Sequence, residues 1–535
     1  MTRPDPLLRP TFRRWLRWLA ALCATVLAAL PLQAMAQTLR IGMAADVTAL
    51  DPHYANIAPN NAVAWHVFDA LANVDADTRL IPGLATSWRA LDDTTWEFVL
   101  RKDVRFHDGS PFDARDVEFS IRRAAALAEK GGQFGGFVRA IREIQIVDAH
   151  TIRFKTAKPH AVLPQDLNSI FIVSRAVGDA GTEDFNAGRA AVGTGPFRLE
   201  SFARGNRVDL VRNDTYWGDK PAWARVTLRI LPQDAARMAA LLAGDVDAIE
   251  NIPTSDVARI ARDQRLRIER KVSWRTIFLH LDQYRDAPPG VTDANGKPLA
   301  RNPFRDRRVR AALSAAIDRK ALVAKVMEGL AVPAGNLVAP PVFAHDASLR
   351  PPPHDPKAAR QLLAEAGYPE GFRLTLSTPN NRYINDEQVA QTVAQMWARI
   401  GVQVVRVEAL PAATYFTKAR NGEFGVALLG WGSFAGDLAL RSLVATPSAE
   451  KGLGSWNWGG YSDAQLDRAV EQALGTVDQA RREALAKAAM AIAVRDYAVI
   501  LLHHQVATWA MRSDLRYPGR TDEYTLAQFF SARPK

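Results

Sequence analysis

The stretch from 355 to 431 constrains the fold more than any other part of the chain. Asp355 offers a side-chain acceptor, and Pro356 follows it with a φ already suited to a first helical turn. Leu362, Leu363 and Ala366 then recur at helical spacing, and Gly367 ends the run. "GFRLTLS" alternates as a strand. Asp386 stands where a cap belongs, ahead of a helix carrying Val389, Val393, Met396, Trp397 and Ile400 and stopped by Gly401. Strand "VQVVRV", helix "AATYFTKARNG" and strand "GVALLGW" complete the series. Strands that alternate with helices specify an α/β fold around a parallel or mixed open sheet.

The rest of the chain has a different texture. "TLRIGMA" is a strand followed by a polar loop and a helix. In "TTWEFVLRKDVRF", Trp96, Phe98 and Leu100 share one strand face. "SPFDARDVEFSIRRAAALA" is a helix, and "IREIQIVDAHTIRFKT" a hairpin turning at Asp148-Ala149-His150. Together, residues 82–189 form a compact α+β unit. "ARVTLRILPQDAARMAALLAGDVDAIE" is a strand, a helix capped by Asp234 and ended by Gly244, and a second strand. Two helices follow within 306–327, the first with a stripe of Val309, Leu313, Ala316 and Ile317, the second capped by Asp318.

A chain of 535 residues exceeds one ordinary core and implies two or three domains. Its first 36 residues read as a secretory signal: Arg13, Arg14 and Arg17, an apolar run from Trp18 to Leu32, and a small-x-small cleavage pattern at Ala34-Met35-Ala36. Export to the periplasm follows from it. The one cysteine, Cys23, lies inside that run, behind a Leu22 too large for a lipoprotein signal. Without it the processed chain has no disulfide, no thiolate nucleophile and no Cys-bound metal. The formal charge of +11 includes five Arg and one Asp of the signal. What remains is spread evenly, with no basic run and no interleaving of aromatic and basic residues, so no nucleic-acid partner is implied.

In open α/β sheets, ligands sit beyond the carboxyl ends of strands. Three such ends carry unusual groups here. After "LRIGM" come Asp51-Pro52-His53 and then Tyr54 and Asn56. After "RLTLS" come Asn380, Asn381, Arg382 and Tyr383. After "VALLG" come Trp431, Phe434 and Asp437. Aromatic area, amides and one charge of each sign suit a small polar organic ligand better than a catalytic step. The plainer alternative is that each loop only caps its neighbouring element. Asp437 stands at the start of "LALRSLV" and reads equally as a ligand contact or as a helix N-cap.

Motifs of catalysis are missing. The sequence contains no HExxH, CxxC or G-x-S-x-G, and "VGTGPF" at 192–197 lacks the lysine and helix of a phosphate loop. His503 and His504 are neighbours in a strand pattern, so they face opposite ways and do not share a metal. No cofactor or metal is implied, and an exported hydrolase is a remote reading.

Four long segments in order carry a resemblance over nearly all of residues 40–530: "LATSWRALDDTTWEFVLRKDVRFHDGSPFDARDVEFSIRR", "GTGPFRLESF", "NPFRDRRVRAALSAAIDRKALV" and "HDPKAARQLLAEAGYPEGFRLTL". The chain resembles the family 5 extracellular solute-binding proteins of ABC importers, the peptide, nickel and glutathione group. The resemblance implies a two-lobed periplasmic binding protein type II fold with an extra α+β domain, the lobes joined by hinge strands. Lobe I is then 38–81, 190–275 and 505–535, the extra domain 82–189, and lobe II 276–504. It further implies a monomer that takes a peptide-like or other small zwitterionic solute into an interlobe cleft and delivers it to a permease in the inner membrane. An opine, a sugar or a metal chelate is the alternative cargo.

In dipeptide-binding relatives an arginine in a loop like "NNRYIND" holds the peptide carboxylate, which makes Arg382 the anion anchor. Their amine-binding aspartate lies three residues after the strand-end tryptophan. Here that position is Phe434. The short likeness of "SFAGDLALRSLV" to glutathione-binding relatives offers Asp437 as a substitute.

Overall fold

A computed structural model describes residues 38–533. Residues 1–36, read above as a secretory signal, lie outside the described residues. No helix among the described residues is long and apolar enough to cross a membrane.

One twelve-stranded mixed sheet runs through two lobes. In lobe I, Thr38–Met43 lies between two parallel neighbours, Arg225–Ile230 and Ala248–Glu250. Arg207–Arg212 and Phe197–Ala203 extend it as an antiparallel edge. In lobe II, Phe372–Pro379 runs parallel to both Val402–Leu410 and Val426–Trp431. The mixed sheet expected for 355–431 is therefore present.

Two strands join the halves. Leu266–Leu281 and Ile500–Arg512 pair antiparallel from one lobe into the other. "TIFLHL" and "ILLHHQVATWA" are nearly continuous apolar runs, as a strand covered on both faces requires. Leu266–Val272 pairs with Val506–Arg512 on the lobe I side, whereas Thr276–Leu281 pairs with Val426–Trp431 of lobe II. Between these stretches the register slips from Val272 to Thr276, and Ser273, Trp274 and Arg275 leave the ladder. A broken ladder bends more easily than a paired one, so a change of angle between the halves would fall at these three residues, called the hinge below.

Each part has its own core. Lobe I packs Leu39, Ile41, Phe68, Phe197, Leu228 and Trp509. Lobe II packs Phe304, Leu313, Phe372, Leu376 and Trp397, whose indole N–H donates to the Leu313 carbonyl at 2.9 Å. A separate four-stranded antiparallel sheet, in the order Ala85–Asp92, Thr95–Leu100, Thr151–Thr156 and Ile141–Asp148, packs Phe98, Phe112 and Phe154 with the helix Ala114–Ala128. Phe171, Val173 and Phe185 turn instead into the lobe I core.

Two expected caps are not caps. Gln233 occupies the N-cap of Asp234–Ala243 without a side-chain bond, and Asp234 inside the first turn pairs with Arg237 at 2.6 Å. Asn385 occupies the N-cap of Asp386–Ala398 in a left-handed conformation. Asp386 reaches backward, and its Oδ2 accepts the backbone N–H of Arg382 and of Tyr383, each at 3.0 Å. An aspartate at a helix start bonds whichever free amides lie nearest, and here those belong to the preceding loop.

Candidate functional site

The strand Val426–Trp431 ends beside the hinge, with Trp431 opposite Thr276. Two glycines set what packs there. A Cβ on Gly430 would lie 2.6 Å from the Tyr383 ring, and one on Gly432 would lie 2.5 Å from Nε1 of Trp274. Their bare Cα atoms admit both rings against the backbone. Tyr383 is buried and donates its hydroxyl to the Gly430 carbonyl at 3.0 Å. Burial raises its pKa. The loop bearing Arg382 is thus tied at its amides by Asp386 and at its tyrosine by the neighbouring strand.

Arg382 itself is exposed, yet burial, followed by the like charge of Arg275, lowers its pKa. Both hold for a guanidinium that water reaches while protein surrounds it on several sides. It lies 5.4 Å over the Tyr383 ring and, among the described residues, has no carboxylate within ion-pair distance and donates no side-chain hydrogen bond.

Arg275 is compensated. Its Nη2 lies 2.6 Å from Oε2 of Glu523, and its Nε 3.2 Å from both carboxylate oxygens. Ser273 donates to Oε1 of the same carboxylate at 2.6 Å. Burial raises the pKa of Glu523, but the charge of Arg275 and the bonds from Arg275 and Ser273 outweigh it, and the carboxyl titrates below its ordinary value. Glu523 has φ +68°, a left-handed conformation costly for a long side chain and held only where surroundings impose it.

The aromatic residues form two groups. Phe434 meets Trp274 edge to face at 4.7 Å, and Trp274 meets Tyr524 of lobe I at 6.1 Å. Trp431 meets Trp456 at 4.8 Å, and Trp456 meets Trp458 at 4.8 Å. Both Trp274 and Trp431 have an indole N–H shut from solvent and without an acceptor among the described residues.

The remaining expected residues fall as follows. Asn61 donates to Asn56 at 2.8 Å and to the Tyr524 hydroxyl at 3.4 Å, which links Asn56 to the hinge aromatics. Tyr54 is exposed, and its carbonyl accepts from the backbone N–H of Gln133 in the extra domain at 2.9 Å. Asn381 accepts from the N–H of Ala412 at 2.9 Å, in the first turn of Ala412–Arg420. Asp437 is fully buried, 2.5 Å from Nε of Arg482, and its other oxygen accepts from Leu438. It is not the N-cap of Gly436–Leu443 either, because Ala435 holds that position. Structure therefore gathers Arg382, Tyr383, Trp431 and Phe434 at the hinge and leaves Asp437 inside lobe II.

Trp274, Arg275, Glu523 and Tyr524 belong to this group and are missing from the sequence reading. Arg275 and Glu523 are 248 positions apart, and no local spacing connects them. His503 and His504 are buried strand residues whose pKa burial lowers to about 3, and His504 bonds the Thr276 hydroxyl at 2.9 Å. Among the described residues no group of three His, Cys, Asp or Glu comes together to hold a metal ion.

Comparison with known proteins agrees with this architecture. Residues 79–440 match the family model described as "Bacterial extracellular solute-binding proteins, family 5 Middle". The glutathione-binding protein GsiB of Salmonella paratyphi A is 30% identical over 489 residues, 89% of this chain and 90% of the relative. The dipeptide-binding protein of Escherichia coli K12 is 26% identical over 470 residues, 82% and 83% of the two chains. Among solved structures, the periplasmic binding protein DppA of Helicobacter pylori superposes with a TM-score of 0.77 at 24% identity, over 93% of this chain and 98% of that one. NikZ of Campylobacter jejuni gives 0.76 at 22% identity, over 92% and 99%. The chain belongs to the bacterial extracellular solute-binding proteins of family 5, whose members serve ABC importers.

Proposed function

We propose that this protein captures a peptide-like or other small zwitterionic solute between its lobes, in the periplasm and as a monomer, and hands it unaltered to an inner-membrane permease. The observation that carries the reading is Arg382: a guanidinium with no counter-ion among the described residues, on a loop held by Asp386 and by Tyr383, beside the break in the hinge ladder. Arg275 is neutralised by Glu523, so among the described residues Arg382 is left as the uncompensated positive charge of the group. A carboxylate meeting it gains a charge-assisted bond of about 1.5–3 kcal/mol. A ligand gripped from both lobes favours the closed form and so shifts the hinge equilibrium without any covalent step. The glutathione- and dipeptide-binding relatives support a cargo with a free carboxylate.

Titration calorimetry with glutathione and with the dipeptide Ala-Phe tests this. At least one binds, is recovered intact, and loses at least tenfold in affinity on Arg382→Ala, with the melting temperature unchanged. No binding of either, or binding indifferent to Arg382, contradicts the reading.

A further inference from the structure

A zwitterion needs a partner for its ammonium, and the carboxylates around the hinge are already engaged. Asp437 is locked on Arg482. Glu523 serves Arg275 and Ser273. Asp386 holds two loop amides. Glu250, at the end of Ala248–Glu250, accepts from the N–H of Ala44 and from the hydroxyl of Thr525.

Asp46 differs from all of them. It lies three residues beyond Thr38–Met43, on the carboxyl-end side of three parallel strands, where open sheets bind ligands. Its Oδ1 is shut from solvent and has no hydrogen-bond partner among the described residues, and no cation there lies within ion-pair distance. The residue as a whole is half-buried, so an ammonium would approach the carboxylate at its other oxygen, Oδ2, rather than at the shut Oδ1. Its loop is also wired to the site already described. Ala44 is held by Glu250, Glu250 by Thr525, and Thr525 follows Glu523 by two positions. A carboxylate oxygen without a donor or cation beside it leaves Asp46 as an acceptor not yet used within the protein.

We propose that Asp46 is the ammonium-binding residue of this protein, supplied by lobe I opposite Arg382 of lobe II. The inference rests on the proposed peptide-like cargo. The two ends of one ligand then meet opposite charges on opposite lobes, and an open molecule satisfies only one of them. Amine and carboxylate recognition thereby become conditions for closure. Phe434 serves as apolar area against Trp274.

The test compares Ala-Phe with N-acetyl-Ala-Phe by calorimetry, on the wild-type chain and on Asp46→Asn. Wild type binds the free amine at least tenfold more tightly. Asp46→Asn removes that preference by weakening Ala-Phe alone, and Asp46→Glu restores part of it, with melting temperatures unchanged throughout. A preference that survives Asp46→Asn, or a wild type indifferent to acetylation, overturns the assignment while leaving Arg382 and peptide binding intact. Failure of wild type to bind either dipeptide or glutathione overturns the peptide reading and this assignment with it.

Discussion

Arg275 of the hinge and Glu523 of the C-terminal loop form an ion pair, Nη2 to Oε2 2.6 Å, whose side chains are 10% and 22% exposed. The pair neutralises one of two neighbouring arginines and ties the hinge strand to lobe I. Glu523→Gln leaves Arg275 without a counter-charge. Breaking a buried pair costs about 3–5 kcal/mol, and the partial exposure here places the loss at or below the lower end. The pH dependence has a definite sign. The folded pKa of Glu523 lies below its ordinary 4.5, so its contribution is complete above that value and is lost as pH falls through the lower, folded one. Urea unfolding from pH 7 to pH 3 shows a steeper acid limb in wild type than in Glu523→Gln.

Asp437 and Arg482 make the opposite kind of pair, enclosed on both sides, with side chains 0% and 5% exposed. Asp437→Ala strands the guanidinium in the core and lowers stability by about 3–5 kcal/mol. Peptide affinity, measured well below the melting temperature, stays within twofold of wild type. Loss of affinity with an unchanged melting temperature would place Asp437 in the binding site instead.

Gly430 tests how the anion anchor is positioned. Alanine there puts a methyl group 2.6 Å from both the Tyr383 ring and Ile277. Overpacking of this kind costs about 1–3 kcal/mol. Because Tyr383 and Arg382 share one Asp386 carboxylate, the displaced ring carries the arginine with it. Peptide affinity falls at least tenfold in Gly430→Ala while the chain still folds cooperatively. An unchanged affinity would detach Tyr383 from the site.

What the sequence made legible depended on distance along the chain. The helices and strands of 355–431 are announced by neighbours: Asp355 before Pro356, and Gly401 at φ +89° after Ile400. The loops bearing Arg382 and Trp431 are likewise readable as strand ends. Asp234 and Asp386 misled because an aspartate at a helix start does not state what it bonds: Asp234 takes the Arg237 guanidinium and Asp386 the amides of the preceding loop. Asp437 was ambiguous for a stronger reason. Its partner Arg482 is 45 positions away, and burial is a property of packing that no local pattern states. Glu523 and Trp274 have no signature at all until the fold brings the hinge strand and the C-terminal loop together.

The central claim is that a ligand shuts two lobes about the break at Ser273, Trp274 and Arg275. Small-angle X-ray scattering of the processed chain, with and without saturating Ala-Phe, tests it most directly. The radius of gyration falls on addition of the peptide in wild type and stays constant in Arg382→Ala at the same concentration. A wild-type chain that binds the peptide by calorimetry while its radius of gyration does not change would contradict the account.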